Sequence, residues 1–156
     1  DQDIYLSNYG QEPNTLWENL SAVSSQWVDS GRKYNVDDGG HNGADPNIRS
    51  QWKLSGGHTI GSSWGDFDND GWLDLMVGHF AHSWNPKALI LKNNGVDKQF
   101  TLKKRFTGSF YQESYANPTL GDFDNDGLLD FFFTTVYAGD SARLYRNTDN
   151  FQFTNV

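Results

Sequence analysis

Two acidic segments of identical spacing are the part of this 156-residue sequence that could do chemistry. Each has the form D-x-D-x-D-G-x-x-D, at positions 66–74 and again at 122–130. Carboxylates at alternate positions of a tight loop converge on one point, and the glycine after the third acid permits a sharp turn. A set of hard oxygen ligands of this size suits Ca²⁺, whereas the smaller octahedral shell of Mg²⁺ usually keeps water and takes fewer carboxylates.

The spacing predicts two calcium sites with the same kinds of ligand. Each site takes four aspartate side chains and the main-chain carbonyl of the residue that follows the glycine. We therefore expect two bound Ca²⁺ ions as cofactors. The first ligand set is Asp66, Asp68, Asp70, the Trp72 carbonyl and Asp74, and the second is Asp122, Asp124, Asp126, the Leu128 carbonyl and Asp130.

An EF-hand and a simple turn account for the acidic segments less well. An EF-hand loop requires a bidentate glutamate at its twelfth position, where this chain has Val77 and Phe133. If the segments were instead turns that only connect strands, four acids within nine residues would repel one another with nothing to neutralise them. Metal binding is therefore favoured.

The segments around the acidic loops have the composition of strands. Aromatic residues make up 15% of the chain, glycine occurs 16 times, and no stretch has a convincing helical period. Short runs rich in Val, Ile, Phe, Tyr and Thr alternate with turns of Gly, Asn and Asp, which predicts an all-β fold. The continuous apolar run Phe131–Phe133 suits a strand covered on both faces. The predicted strands are Asp3–Ser7, Thr15–Asn19, Leu73–Phe80, Ala88–Asn93, Gln99–Arg105, Leu129–Val136, Ala142–Arg146 and Phe151–Asn155.

Internal repetition organises the chain. The segment G-D-F-D-N-D-G recurs 56 positions later, and each copy precedes an apolar strand, a strand ending in Asn and a Phe-Thr strand. A period of about 40–50 residues with four strands is typical of β-propeller blades, which are four-stranded antiparallel sheets. The chain is therefore predicted to be a single propeller segment, 1–156. In it, 1–28 ends a partial blade, 29–57 is a long insertion rich in Gly, Asn and Asp, and 58–107 and 108–156 are blades with calcium loops.

The two G-D-F-D-N-D-G-x-L-D segments resemble the calcium loops of FG-GAP/VCBS repeats, which also form the blades of integrin α-subunit propellers. The resemblance covers residues 58–156 closely and 1–27 loosely, and all four side-chain ligand positions match in both copies. It implies a β-propeller whose loops bind Ca²⁺ at the blade edges, in an extracellular, secreted or cell-surface protein.

The length leaves the propeller incomplete. About two full blades plus a partial one fall short of the usual four to eight. We expect either a piece of a longer polypeptide, which the absence of an initial Met favours, or a propeller completed between molecules. In the second case, open blade edges would pair with other chains or with copies of this one, as rings or filaments.

The charge of the chain excludes several classes of function. Twenty acidic against twelve basic residues give a net charge of −8, which argues against nucleic acid as a partner. No apolar stretch approaches the ~20 residues that a membrane helix requires, so membrane insertion is not expected. Cysteine is absent, which excludes disulfides and thiolate metal sites. Eight of the acids lie in the two loops, so the remaining residues are formally balanced.

Weaker signals are each matched by an ordinary structural role. Three histidines, in part spaced H-x-x-H, could hold zinc, and acids with a histidine in the insertion could form an accessory cation or sugar site. Exposed Trp side chains could stack on sugars, although packing between blades accounts for them equally well. Asn19 begins a glycosylation sequon. These candidates are His58, His79 and His82; Asp37, Asp38, His41 and Asp45; and Trp52, Trp64, Trp72 and Trp84.

Together these features predict a non-enzymatic, calcium-binding, extracellular β-propeller repeat module that serves adhesion or structural assembly, including a filament or surface-protein subunit. No nucleophile elbow, phosphate loop or zinc-binding helix motif is present. The expected partners are other chains or copies of this chain at open blade edges, with glycans as a second class. The alternative is a carbohydrate-binding propeller, or the propeller part of a larger polysaccharide-degrading enzyme.

Overall fold

We describe the chain from a computed structural model, which covers residues 2–9, 13–20, 26–37, 59–80, 88–106, 114–136 and 138–156. These residues form strands, turns and one short 3-10 helix, η1 (Gly95–Asp97), so the predicted all-β class is confirmed. No helix in this part of the chain is long and apolar enough to cross a membrane. The strands are β1 (Ile4–Leu6), β2 (Thr15–Asn19), β3 (Trp27–Asp29), β4 (Thr59–Gly65), β5 (Asp74–Phe80), β6 (Leu89–Asn93), β7 (Phe100–Arg105), β8 (Ser114–Gly121), β9 (Asp130–Thr134), β10 (Arg143–Asn147) and β11 (Phe153–Asn155).

Each of the eight predicted strands overlaps an observed strand, but β3, β4 and β8 were not predicted. The sequences of β4, T-I-G-S-S-W-G, and β8, S-Y-A-N-P-T-L-G, account for the omission. Gly, Ser, Asn and Pro are depleted from strands, and their presence is typical of a loop. Both strands lead directly into an acidic segment, so the error hid the fact that each acidic segment closes a hairpin.

The strands form two sheets. Strands β1–β3 make a three-stranded antiparallel sheet, and the other eight make one sheet curled into half a barrel. Within the larger sheet, β4–β7 is an antiparallel meander and β8–β11 is a second one with the same order of pairing. The two meanders join where β5 pairs with β8, with His79 opposite Tyr115.

Strands β5 and β6 are buried on both faces. Met76 of β5 and Ile90 of β6 belong to one hydrophobic cluster, and their neighbours along each strand belong to another. The first meander therefore lies between the three-stranded sheet and the second meander. The first cluster is Phe67, Met76, Ala88, Ile90, Phe106, Tyr115, Phe131, Phe133 and Phe151, and the second is Leu16, Tyr34, Val36, Leu75, Val77, Leu89, Leu91 and Phe100.

The prediction that Phe131–Phe133 is covered on both faces was wrong. Phe131 and Phe133 are buried in the first cluster, but Phe132 is 37% exposed. Successive side chains of a strand point to opposite faces, and the outer face of β9 has no further layer over it among the described residues. In this part of the chain, layers cover both faces of β5 and β6 instead.

The beginning of the predicted insertion is packed into the fold. Tyr34 and Val36 are buried in the second cluster, and the Tyr34 carbonyl accepts a hydrogen bond from the Phe100 amide at 3.0 Å. Asn35 Nδ2 donates to Gln99 Oε1 at 3.1 Å. Residues 30–37 thus connect the three-stranded sheet to β7, whereas 38–57 lie outside the described residues.

Gly78 is required by the close contact of β5 with β8. A Cβ atom at Gly78 would overlap the Tyr115 carbonyl oxygen, which is main chain and cannot move aside as a side chain could. Gly78→Ala is therefore expected to lower the free energy of unfolding by about 1–3 kcal/mol in urea denaturation. Gly121→Ala is the control, because an added Cβ there meets no atom within 4 Å. Equal losses for both variants would contradict the close packing of the two meanders.

Candidate metal centre

Each acidic segment closes a hairpin, β4–β5 in the first copy and β8–β9 in the second. The glycine before the first acid pairs with the last acid of the segment: Gly65 with Asp74, and Gly121 with Asp130. Between them the chain turns sharply through residues with positive φ. These are Asn69 (55°) and Gly71 (90°) in the first loop, and Asn125 (60°) and Gly127 (87°) in the second. Gly adopts such values without strain and Asn tolerates them better than most residues.

The first aspartate of each loop organises the turn. Asp66 Oδ1 accepts a hydrogen bond from the Asp70 amide at 3.1 Å, and its Oδ2 accepts one from the Gly71 amide at 2.8 Å. Asp122 accepts the equivalent bonds at 3.1 and 2.9 Å. The main chain thus curls around this carboxylate in both copies, which directs the neighbouring acids towards it.

The last aspartate of the first loop is fully buried. Asp74 Oδ1 accepts from the Asn93 amide at 2.9 Å and Oδ2 accepts from the Phe67 amide at 3.1 Å, so this side chain links the loop to β6. Burial raises the pKa of Asp74 to about 6, because loss of water disfavours the charged form, and the two amide hydrogen bonds offset only part of that effect. A cation beside this carboxylate would favour its ionised form.

The second loop repeats this arrangement. Asp130 is fully buried, its Oδ1 accepts from the Asn147 amide at 2.7 Å, and its Oδ2 accepts from the Phe123 amide at 3.0 Å. Because the two loops have the same hydrogen bonds, their shared sequence determines the same local structure.

Three carboxylates converge in each loop. One oxygen from each of Asp66, Asp68 and Asp74 lies within 4.8 Å of the others, and the same holds for the set Asp122, Asp124 and Asp130. In the first loop, Asp68 Oδ1 is buried and has no hydrogen-bond partner among the described residues. A buried carboxylate oxygen without a partner is costly unless a cation compensates it. The donor set therefore fits a hard divalent cation.

The remaining predicted ligands stand at the edge of these clusters. Asp70 Oδ1 accepts from the Trp72 amide and Asp126 Oδ1 accepts from the Leu128 amide, both at 2.9 Å. Neither aspartate belongs to the group of converging oxygens. Their role as ligands, and that of the Trp72 and Leu128 carbonyls, stays a prediction.

One basic side chain offsets part of the negative charge of each loop, and this corrects the expectation that nothing would. Lys92 Nζ lies 2.5 Å from both Asp68 Oδ2 and Asp70 Oδ2. Arg146 contacts Asp124 Oδ2 through Nε at 2.6 Å and Asp126 Oδ2 through Nη2 at 3.0 Å. Burial alone would lower the pKa of Lys92, but its bonds to the two carboxylates outweigh that effect and raise it.

A signal for these bases was present in the sequence. Each stands immediately before the Asn that ends the second strand after the loop, as Lys92-Asn93 in β6 and Arg146-Asn147 in β10. The amides of these Asn residues bind the buried aspartates, so the preceding side chains necessarily lie near the loop mouth.

The surroundings of the two loops differ. The second meander covers the first loop, so that Asp66 and Asp68 are partly buried and Phe67 is fully buried. In the second loop Asp122 and Asp124 are exposed, and Phe123 is 47% exposed. The same heptapeptide is therefore part of an interface in one copy and part of the surface in the other.

The weaker candidates of the sequence differ in where the structure places them. His79 is buried within β5, and Asp37 is buried and pairs with Arg32 at 3.5 Å. Trp64 and Trp72 are partly exposed and line one groove. Asn19 ends β2, but the sequon's third residue is not described. Outside the described residues lie His58, His82, Asp38, His41, Asp45, Trp52 and Trp84.

Comparison with known families supports the resemblance that the loops suggested. A family model for an FG-GAP-like repeat matches residues 66–133, from the first aspartate of one loop through the whole of the other. Residues 66–133 belong to the FG-GAP-like repeat family. The family predicted from the two acidic segments is thereby confirmed. A comparison with curated proteins finds no significant match.

Removal of the ion-pairing lysine tests the neutralisation of the first FG-GAP-like loop. In EDTA, Lys92→Met is expected to lower the free energy of unfolding by up to about 1 kcal/mol, because Asp68 and Asp70 lose their only described basic partner. Lys103→Met removes the same charge from an exposed position of β7 and is expected to be near neutral. Urea denaturation measures both, and equal effects would contradict a specific role for Lys92.

Proposed function

We propose that this chain is a calcium-binding FG-GAP-like repeat module of an extracellular protein that acts in adhesion or structural assembly and not in catalysis. The observation that carries the calcium part is the buried, unpartnered Asp68 Oδ1, which lies in a group of three converging carboxylates. The same three positions converge in the second loop, which supports two sites. Asp66, Asp68 and Asp74 would hold one ion, and Asp122, Asp124 and Asp130 the other.

Calcium would supply charge and a cross-link within each hairpin. The ligands come from the first, third and last positions of the acidic segment, so one bound ion joins the start of the loop to the start of the next strand. The all-oxygen donor set favours Ca²⁺ over zinc, for which nitrogen and sulfur ligands are more usual. The residues that complete the coordination shell are proposed to be Asp70, Asp126 and the two predicted carbonyls.

The repeat architecture supports a β-propeller origin. Two successive antiparallel meanders of four strands each, β4–β7 and β8–β11, support this proposal. We propose that these are two blades and that β1–β3 is the end of a third. The absence of recognised catalytic motifs from the sequence supports a non-catalytic role.

Calcium removal is the direct test of the metal proposal. Thermal unfolding in 1 mM free Ca²⁺ and in EDTA should differ by several degrees, because a ligand at one hundred times its Kd adds about 2.7 kcal/mol per site. Asp68→Ala combined with Asp124→Ala should remove that difference. Asp97→Ala, an exposed acid outside both loops, should keep it. Identical melting curves of the native chain with and without calcium would refute the proposal.

The basic side chains should compete with the metal. Calcium binding near Asp68 and Asp70 displaces Lys92 or weakens its ion pairs, so Lys92→Met is expected to tighten binding at the first loop by about fivefold, equivalent to about 1 kcal/mol. Arg146→Met should act in the same direction at the second loop. Calorimetric titration measures both affinities, and weaker binding in both variants would show instead that the bases stabilise the occupied loops.

A further inference from the structure

Besides the β5–β8 pairing and the shared cluster, one protruding side chain of the first loop contributes to the contact between the two meanders. Phe67, from the first loop, is fully buried against rings of the second meander. Its ring centroid lies 5.8 Å from that of Phe153, 6.4 Å from that of Phe151 and 6.5 Å from that of Phe131. The first acidic loop thus inserts into the second meander. We call Phe67 and Asn69 of this loop the plug.

Two hydrogen bonds fix this plug in place. Asn147 Nδ2 donates to the Phe67 carbonyl at 3.0 Å as well as to the Leu129 carbonyl at 3.2 Å. Asn69 Nδ2 donates to the Gly127 carbonyl at 3.0 Å. The interface therefore combines an aromatic side chain with one amide donor from each side.

The second loop presents the same plug to solvent. Phe123 lies 56 positions after Phe67 and is 47% exposed, although the core of this protein is rich in buried phenylalanine. Asn125 corresponds to Asn69, and its side chain makes no hydrogen bond with any residue that the structure describes. Both elements of the plug are thus available for a contact of the same kind.

The first meander carries a receptor that matches this plug. A groove of about 650 Å³ is lined by Trp72, Leu73, Asn93 and Phe100, among others. By position in the repeat, these four correspond to Leu128, Leu129, Asn147 and Phe153 of the second meander, the last two of which contact the first loop's plug.

Asn93 in the groove also lacks, among the described residues, the second hydrogen bond that Asn147 makes to the plug. Asn93 Nδ2 donates to the Leu73 carbonyl at 3.2 Å, as Asn147 does to the Leu129 carbonyl. The second bond, which Asn147 gives to Phe67, has no counterpart at Asn93 among the described residues. A primary amide has two donor hydrogens, so Asn93 can still bind an incoming carbonyl.

We propose that the Phe123 loop of one molecule inserts into the Trp72–Asn93–Phe100 groove of a second copy, so that copies assemble head to tail. This inference deepens the assembly part of the proposed function and rests on it. The Phe123 carbonyl would accept from Asn93 of the second copy, and Asn125 would donate to its Gly71 carbonyl. Because plug and receptor lie on different surfaces, the contact is heterologous and generates a ring or an open filament.

The groove is lined by two acidic residues, Asp3 and Glu18, and one basic residue, Lys98, so an acidic loop needs its charge compensated there. Glu18, on the groove wall, is already paired with Lys98 at 3.5 Å and with Lys33 at 3.8 Å. The exposed Lys98 ammonium at the rim adds attraction for the aspartates of the incoming loop. Ca²⁺ bound in that loop would reduce the remaining repulsion.

Sedimentation velocity with the intact chain in Ca²⁺ tests the contact. The native chain should show a mass that rises with concentration, and Phe123→Ser should remain a monomer throughout the same range. Phe132→Ser, which removes a comparably exposed phenylalanine from β9, is the matched control and should associate as the native chain does. The proposal would be overturned by a native chain that stays monomeric at about 1 mM, or by association of Phe123→Ser at the native level. The groove would then be left to another occupant, such as the glycans that exposed Trp side chains suit.

Mixing of complementary variants identifies the geometry. Trp72→Glu spoils the receptor but keeps the plug. If Trp72→Glu fails to fold, Lys98→Glu at the exposed rim takes its place. Mixed with Phe123→Ser, which keeps the receptor, either variant should form a 1:1 complex of two chains that neither forms alone. Absence of that complex would exclude head-to-tail insertion.

Calcium titration of Phe123→Ser separates this inference from the metal proposal. The Phe123 side chain contributes no ligand, so two calcium sites should persist in the monomeric variant. Retained calcium binding without assembly of the native chain would overturn the interface alone, whereas assembly without calcium binding would overturn the metal proposal alone.

Discussion

A buried carboxylate at the end of each acidic loop is the constraint on which the rest of the site depends. Asp74 and Asp130 have no solvent contact. Each accepts one hydrogen bond from an amide of its own loop and one from the amide that ends the second strand after that loop. Burial of a charge is expensive unless hydrogen bonds or an opposite charge compensate it. These aspartates therefore fix where the loop, the hairpin and the following strand meet, and their position draws the other acids of the loop towards them.

The convergence of three carboxylates in each loop was predictable because these residues are local in sequence. In each loop three of the four acids converge, Asn and Gly stand where the chain takes positive φ, and this geometry is the same in both copies although their surroundings differ. Lys92 and Arg146 were missed because their proximity to the acids depends on strand pairing, about twenty residues along the chain. Their presence means that the loops are not simply vacant anionic sites, since a lysine or an arginine already satisfies part of each.

The fold was predictable where strands have the usual composition and not where close packing overrides it. Strands β4 and β8 contain Gly, Ser and Pro because they approach other main-chain segments closely, as the Gly61 contact with Asn117 illustrates. An apolar run indicates a strand buried on both faces only if the layers that pack on each side of that strand are known. For this reason the run Phe131–Phe133 was misjudged, and β5, although predicted as a strand, was not predicted to be buried on both faces.

The most direct measurement of the central claim is anomalous diffraction from crystals grown in Ca²⁺. We predict two anomalous peaks for each chain. One should lie about 2.3–2.6 Å from oxygens of Asp66, Asp68 and Asp74, and the other at the same range from Asp122, Asp124 and Asp130. Saturating calcium with no peak in either loop, and with Lys92 and Arg146 still bound to the aspartates, would contradict the account and leave the loops as ion-paired turns.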